Sequence, residues 1–188
     1  MVEKKRWVIG ISGASGTPIL VELLKNLKET GDAELHLMIT SAGEKTLWQE
    51  CGLRPEDLMQ WADIKYDEND IGAAPASGSW KNTGMIVVPC SMKTVAGITS
   101  GYSDNLILRA ADVTIKEKRK LILVTRECPL STIHLRNLHE LSQMGVIILP
   151  PVVSYYNHPE SISEVTGHIV GKIMDCMGME YQHFKRWE

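Results

Sequence analysis

Apolar residues gather along the chain in short continuous runs, at Trp7 to Ile11, Leu35 to Thr40, Met85 to Val88, Leu121 to Thr125 and Val146 to Leu149. Runs of this length, rich in Val, Ile and Leu, predict strands. Helix-like segments fill the intervals: Pro18 to Glu29, Ala42 to Glu50, Asn105 to Lys118, Thr132 to Met144 and Ile162 to Met177. Such alternation implies a parallel sheet covered by helices. Runs such as Met85 to Val88 and Leu121 to Val124 carry no polar alternation, as expected of strands buried on both faces. Gly31, Gly84 and Gly145 fall where helices stop, predicting left-handed caps. The fold class is therefore α/β, with one domain over residues 1–188. The longest irregular segment, Tyr66 to Thr83, is polar and rich in small residues, and a loop of that length inside a compact domain is usually functional.

Composition narrows the function. The chain has 188 residues, 44% hydrophobic and 23% charged, which suits one globular domain. Lys+Arg 20 against Asp+Glu 23 gives a net charge of -3, without a basic stripe to neutralise a polyanion, so nucleic acid is not an expected partner. No apolar window approaches the roughly 20 residues that span a bilayer. The amino-terminal run Val8 to Ile11 is too short for a signal peptide, and a soluble cytoplasmic protein is expected. Cys51, Cys90, Cys128 and Cys176 are widely separated, with no paired-cysteine spacing, so they read as reduced and neither zinc nor any other metal is expected. A single Phe stands against 5 Trp and 5 Tyr in a chain cored by aliphatics and Met, which draws attention to where the aromatics sit.

Ligands of an open parallel sheet bind beyond the carboxyl ends of its strands. After the first strand come Gly13-Ala14-Ser15-Gly16 and then Thr17-Pro18, opening a helix. Glycines that admit close approach, unpaired N–H groups and the Ser15 hydroxyl make a cradle for phosphate or FMN, or else a merely tight turn. The spacing is neither a dinucleotide fingerprint nor a nucleoside triphosphate loop. Ser41 follows the second strand, where an ordinary N-cap is the alternative. Ser91, Met92, Lys93 and Thr94 follow Met85 to Val88. The next strand delivers Arg126 and Glu127, a phosphate-binding guanidinium beside a proton-transferring carboxylate, or a pair of structural ions bound to Lys116 or Arg109. Lys118, Arg119 and Lys120 read as a solvated face. His134, His139 and His168 lie in helices at no metal-ligand spacing and read as bystanders.

The block from Ser77 to Val113, the run Lys116 to Leu135, the segment Gly145 to Pro159 and the terminal Lys185-Arg186-Trp187, together with Gly13 to Gly16, resemble the UbiX-like flavin prenyltransferases. More narrowly they are similar to the small B subunits of hydroxyarylic and phenolic acid decarboxylases. The resemblance implies a three-layer flavodoxin-like or Rossmann-like fold. It also implies an enzyme that joins the dimethylallyl group of dimethylallyl phosphate to reduced FMN, closing a fourth ring between N5 and C6. The prenylated FMN passes to a partner decarboxylase, and the family forms dodecamers. By position, Gly13, Ala14, Ser15, Ser41, Ser91, Met92, Lys93, Thr94 and Arg126 match FMN contacts. Lys116, Arg126, Tyr156 and Lys172 match contacts of the prenyl phosphate, with Lys172 where arginine is commoner. Glu127, Ser15 and Glu50 match residues of the chemical step. An aromatic face would stabilise the allylic cation, with Trp80 the first candidate and Trp187 the second. Trp7, Trp48 and Trp61 are candidates for subunit contacts. Two alternatives remain: a carrier that holds FMN without transforming it, and an FMN-dependent peptidyl-cysteine decarboxylase.

Overall fold

The computed structural model describes residues 4–181, so Trp187 and the terminal Lys185-Arg186 lie outside the described residues. Six parallel strands form one sheet: β1 (Lys5–Ile11), β2 (Ala33–Ile39), β3 (Ile64–Tyr66), β4 (Gly84–Cys90), β5 (Lys120–Thr125) and β6 (Ile147–Ile148), in the spatial order β3-β2-β1-β4-β5-β6. The helices are α1 (Thr17–Thr30), α2 (Ser41–Cys51), α3 (Met92–Thr99), α4 (Leu106–Lys116), α5 (Thr132–Gln143) and α6 (Ile162–Met177), with short 3-10 turns at Pro55–Gln60 and Ala74–Ala76.

The period of two along each strand sorts the core into two layers. Trp7, Ile9, Ile11, Ile86, Val88, Ile122 and Val124 face α1 and α6, where Leu20, Leu23, Leu24, Val170 and Ile173 cover them. Val8, Met85, Val87, Leu121 and Leu123 face the other way and pack on Val95, Ile107, Leu108, Ala111 and Leu141. The expected flavodoxin-like three-layer architecture is therefore present. No helix among the described residues is long and apolar enough to cross a membrane.

Three features differ from the sequence expectation. A sixth strand, β3, is only three residues long and sits at the sheet edge, too short for a hydrophobic run to announce it. The segment Met92–Thr99 is helical, capped by Ser91, although its eight residues lie outside the helix-like intervals of the sequence. Gly31 and Gly145 have the positive φ of 68° and 86° that ends a helix, whereas Gly84 starts β4 inside the core. A Cβ on Gly84 would stand 2.6 Å from the Lys120 carbonyl oxygen and 2.9 Å from the Trp7 ring, so close packing rather than a cap requires glycine there. Trp7 itself is fully buried within its own chain and unavailable for a subunit contact.

Candidate active site

Strand order reverses between β1 and β4, so the loops that leave them diverge and open a crevice at the carboxyl edge. Buried Ser12 ties its walls: its hydroxyl donates to the Pro89 carbonyl (2.9 Å) and accepts the Ser91 N–H (2.8 Å). Ser91 then caps α3 by accepting the Thr94 N–H, and the two hydroxyls lie 3.1 Å apart. The amides of the first helical turn, Met92 and Lys93 among them, have no acceptor within α3. The Arg126 N–H donates to the Cys90 carbonyl (3.0 Å), which holds the start of the β5 loop beside that of β4. Lys93 and Arg126 are exposed, and neither forms an ion pair among the described residues. The structural pairs considered for Arg126 and Glu127 are absent there: Arg109 binds Asp112, Lys116 binds Glu117, and Glu127 accepts the N–H of Cys128 (3.1 Å). Exposed unpaired cations around free helix amides are the donor set an anionic cofactor such as FMN needs.

The glycine cradle after β1 has the predicted chemistry and an occupant of its own. Gly16 has φ 123°, open only to glycine, and turns the chain into α1. The amides of Gly16 (3.0 Å) and Thr17 (2.8 Å) and the Thr17 hydroxyl (2.7 Å) all donate to Glu50 Oε2. Burial pushes the Glu50 pKa upward, but hydrogen bonds from the Ser15 and Thr17 hydroxyls and the Gly16 and Thr17 amides outweigh it and hold the carboxyl below its ordinary value. The anion at the start of α1 is thus the protein's own carboxylate. Gly13 and Ser15 are exposed, while Ala14 is buried. Gly13 lies so near α2 that a Cβ would come within 2.6 Å of the Ala42 methyl. The Ser41 N–H donates to Glu68 (2.8 Å), a residue the sequence did not single out.

Tyr156 and Lys172 meet in a separate hollow of about 260 Å³ beside β6, lined also by Ser154, His168 and Ile169. The Lys172 ammonium stands 3.7 Å from Asp175, one turn further along α6.

Lys116 and Trp80 lie at the opposite, amino edge. Helix α4 runs back from the carboxyl edge, so its last residue, Lys116, stands beside Gly78 and pairs with Glu117. The Arg119 guanidinium donates to the carbonyls of Gly78 (2.6 Å) and Trp80 (3.0 Å), so this member of the expected solvated face pins a loop. The Arg6 guanidinium lies 4.9 Å from the Trp80 ring, and His36 meets the ring at 4.8 Å and 77°. Trp80 is therefore not in the crevice of its own chain, and a guanidinium already covers its π system. Strands of seven residues separate the two edges by about 20 Å. Trp48 is exposed beneath Arg54, and Trp61 packs under Lys25. His134 reciprocally caps α5 with Ser131. No group of metal-binding side chains occurs among the described residues.

A parallel sheet whose switch point is ringed by unpaired cations and helix N-termini defines a flavodoxin-like flavoprotein. The model of the Flavoprotein family matches residues 1–176. The flavin prenyltransferase LpdB of Lactiplantibacillus plantarum is 50% identical over 184 residues, 98% of each chain. A dodecameric FMN-dependent UbiX-like decarboxylase of Escherichia coli O157:H7 superposes with a TM-score of 0.95 at 44% identity, over 97% of this chain and 99% of that one. AnUbiX, solved in complex with FMN and dimethylallyl pyrophosphate, gives a TM-score of 0.96 at 40% identity over 99% and 98%. The chain belongs to the Flavoprotein family and, within it, to the UbiX-like flavin prenyltransferases. The peptidyl-cysteine decarboxylase EpiD shares the fold alone, with a TM-score of 0.62 at 16% identity over 81% of this chain and 84% of that one.

Proposed function

We propose that the protein transfers the dimethylallyl group of dimethylallyl phosphate to reduced FMN, in the cytoplasm, and that the prenylated FMN serves a partner decarboxylase of phenolic or hydroxyarylic acids. One observation carries this over a flavin carrier: besides the cationic crevice, the chain builds a second hollow whose lining includes both Tyr156 and Lys172. A carrier needs the flavin site alone and has no use for a further hollow with a phenol and a cation in its lining.

Reduced FMN, when bound, supplies the nucleophilic N5, so the chain needs no nucleophile of its own. Lys93, Arg126, Ser41, Ser91, Met92 and Thr94 hold the flavin and its phosphate, and Gly13, Ala14 and Ser15 allow it to approach the backbone. Arg126, Tyr156 and Lys172 bind the prenyl phosphate and stabilise the negative charge that gathers on it as the allylic C–O bond breaks. Glu127 holds a proton near the departing phosphate oxygen, and Glu50, aligned by Ser15 and Thr17, presents a second carboxylate at the cradle.

Lys116 takes part in this scheme only through a second copy, because its own crevice is about 20 Å away. We accordingly propose a homo-oligomer whose sites form between copies, with twelve subunits like the dodecameric Escherichia coli protein. Phosphate release under anaerobic conditions tests the scheme: release should require dimethylallyl phosphate and reduced FMN together. Equal release without flavin would overturn it.

A further inference from the structure

The sequence leaves His168 as a bystander, yet the structure places it in the Tyr156–Lys172 hollow. His168 precedes Lys172 by one helical turn on the same face of α6, and only 6% of its surface is exposed. Its ring lies 5.7 Å from that of Tyr156, with the planes at 81°. That is the edge-to-face geometry aromatic pairs prefer. Tyr156 is 47% exposed and follows a segment without regular structure. A half-open ring there gains direction from a rigid neighbour, and α6 supplies one.

We propose that His168 is a positioning residue that sets the angle of the Tyr156 ring and so aims its hydroxyl at the phosphate of the prenyl donor. The inference rests on the prenyltransferase reading. The interaction is between rings: it needs an aromatic ring at position 168, and it acts on binding of the prenyl phosphate rather than of the flavin. Lys172 supplies the charge in this hollow and the His168–Tyr156 pair supplies the direction. Arg126 reaches this phosphate from the crevice; within the hollow the one cation among the described residues is a flexible ammonium, which orients it poorly because lysine lacks the planar two-point grip of a guanidinium. The tyrosine hydroxyl provides the second point of contact, and that point is only as fixed as the ring that carries it.

The test is anaerobic steady-state prenylation by the intact protein, varying dimethylallyl phosphate at saturating reduced FMN, for wild type, His168→Ala, His168→Phe, Tyr156→Ala and the double variant His168→Ala/Tyr156→Ala. His168→Ala should raise KM for dimethylallyl phosphate about fivefold, the weight of one aromatic pair, with kcat changed less than about twofold. His168→Phe should restore most of that loss. The double variant should match Tyr156→Ala, since the histidine acts through the tyrosine. Retained FMN affinity and thermal midpoint in His168→Phe separate positioning from a folding defect. An unchanged KM in His168→Ala, or effects of the two alanine substitutions that multiply in the double variant, would overturn the inference. Absence of prenylation by wild type would instead refute the underlying reaction.

Discussion

At the carboxyl edge of the sheet Lys93 and Arg126 stand exposed without an ion-pair partner among the described residues, whereas at the amino edge Arg6, Arg119 and Lys116 are each held by atoms of their own chain. The amino-edge contacts differ in kind. Arg119 binds two backbone carbonyls and Arg6 binds Glu34 and the Lys81 carbonyl, so releasing either would unfasten the loop that leads into β4. Among the described residues Lys116 is paired with Glu117 alone, and both side chains are substantially exposed. Exposed pairs of this sort contribute little to stability. The comparison separates cations that build the molecule from cations left for a ligand: in the proposed scheme Arg126 and Lys93 serve their own crevice, and Lys116, held by an exposed pair, serves a neighbour's.

The sharpest way to break this division is to remove one cation from each edge. Arg126→Ala and Lys116→Ala should each lower prenylation by about a hundredfold to a thousandfold, the range for losing one donor to developing charge. Neither change touches the core, so thermal midpoints should stay close to that of wild type. When the two inactive proteins are mixed and allowed to exchange subunits, roughly a quarter of the sites should regain both side chains and activity should return. Failure to complement, despite exchange shown by native mass spectrometry, would place both residues in one chain's site. Glu127→Gln should follow, lowering kcat by about a hundredfold while FMN binding changes by less than about twofold. Equal losses in turnover and flavin affinity would make Glu127 a binding residue instead.

How far the sequence reaches differs between the two edges for the same physical reason. Local patterns announce the carboxyl edge: Gly16 must turn the chain, Ser91 must cap a helix, and Arg126 ends an apolar strand that leaves it no place in the core. Nothing local says that Glu50, more than thirty residues away, fills the cradle beside Thr17, or that Glu68 reaches the Ser41 amide. Those contacts arise from the lateral packing of α2 and the loop after β3 against neighbouring elements. Lys116 is the sharper example. Its family match placed it with Arg126, but α4 must run antiparallel to the strands to return the chain to β5, and that carries its last residue to the far edge. Trp80 lies at the far edge of its own chain for a related reason: the loop before β4 is anchored at the amino edge by the Arg6 contacts, so its aromatic ring packs on His36.

Smaller effects sharpen the picture. Lys172→Arg should lower the apparent dissociation constant of dimethylallyl phosphate about threefold, through the planar guanidinium fork. A weaker-binding variant would mean that the Asp175 contact, rather than the charge shape, controls this position. Glu50 makes a still finer test. Its folded-state pKa is held below the ordinary 4.5, so it contributes stability that is present above the unfolded value and disappears as pH falls through the folded one. Thermal midpoints recorded across the acid range should therefore fall more steeply for wild type than for Glu50→Gln. Parallel curves would show that the carboxylate contributes nothing at the cradle.

The central claim, that the crevice and the Tyr156–Lys172 hollow bring a flavin and a prenyl phosphate together for reaction, is tested most directly by the mass of the flavin itself. The purified protein is incubated anaerobically with reduced FMN and dimethylallyl phosphate, and the flavin is extracted and weighed by mass spectrometry. The predicted result is FMN heavier by one dimethylallyl unit in place of one proton, with phosphate released in equal amount. Recovery of unmodified FMN alone, from protein shown to bind both compounds, would contradict it.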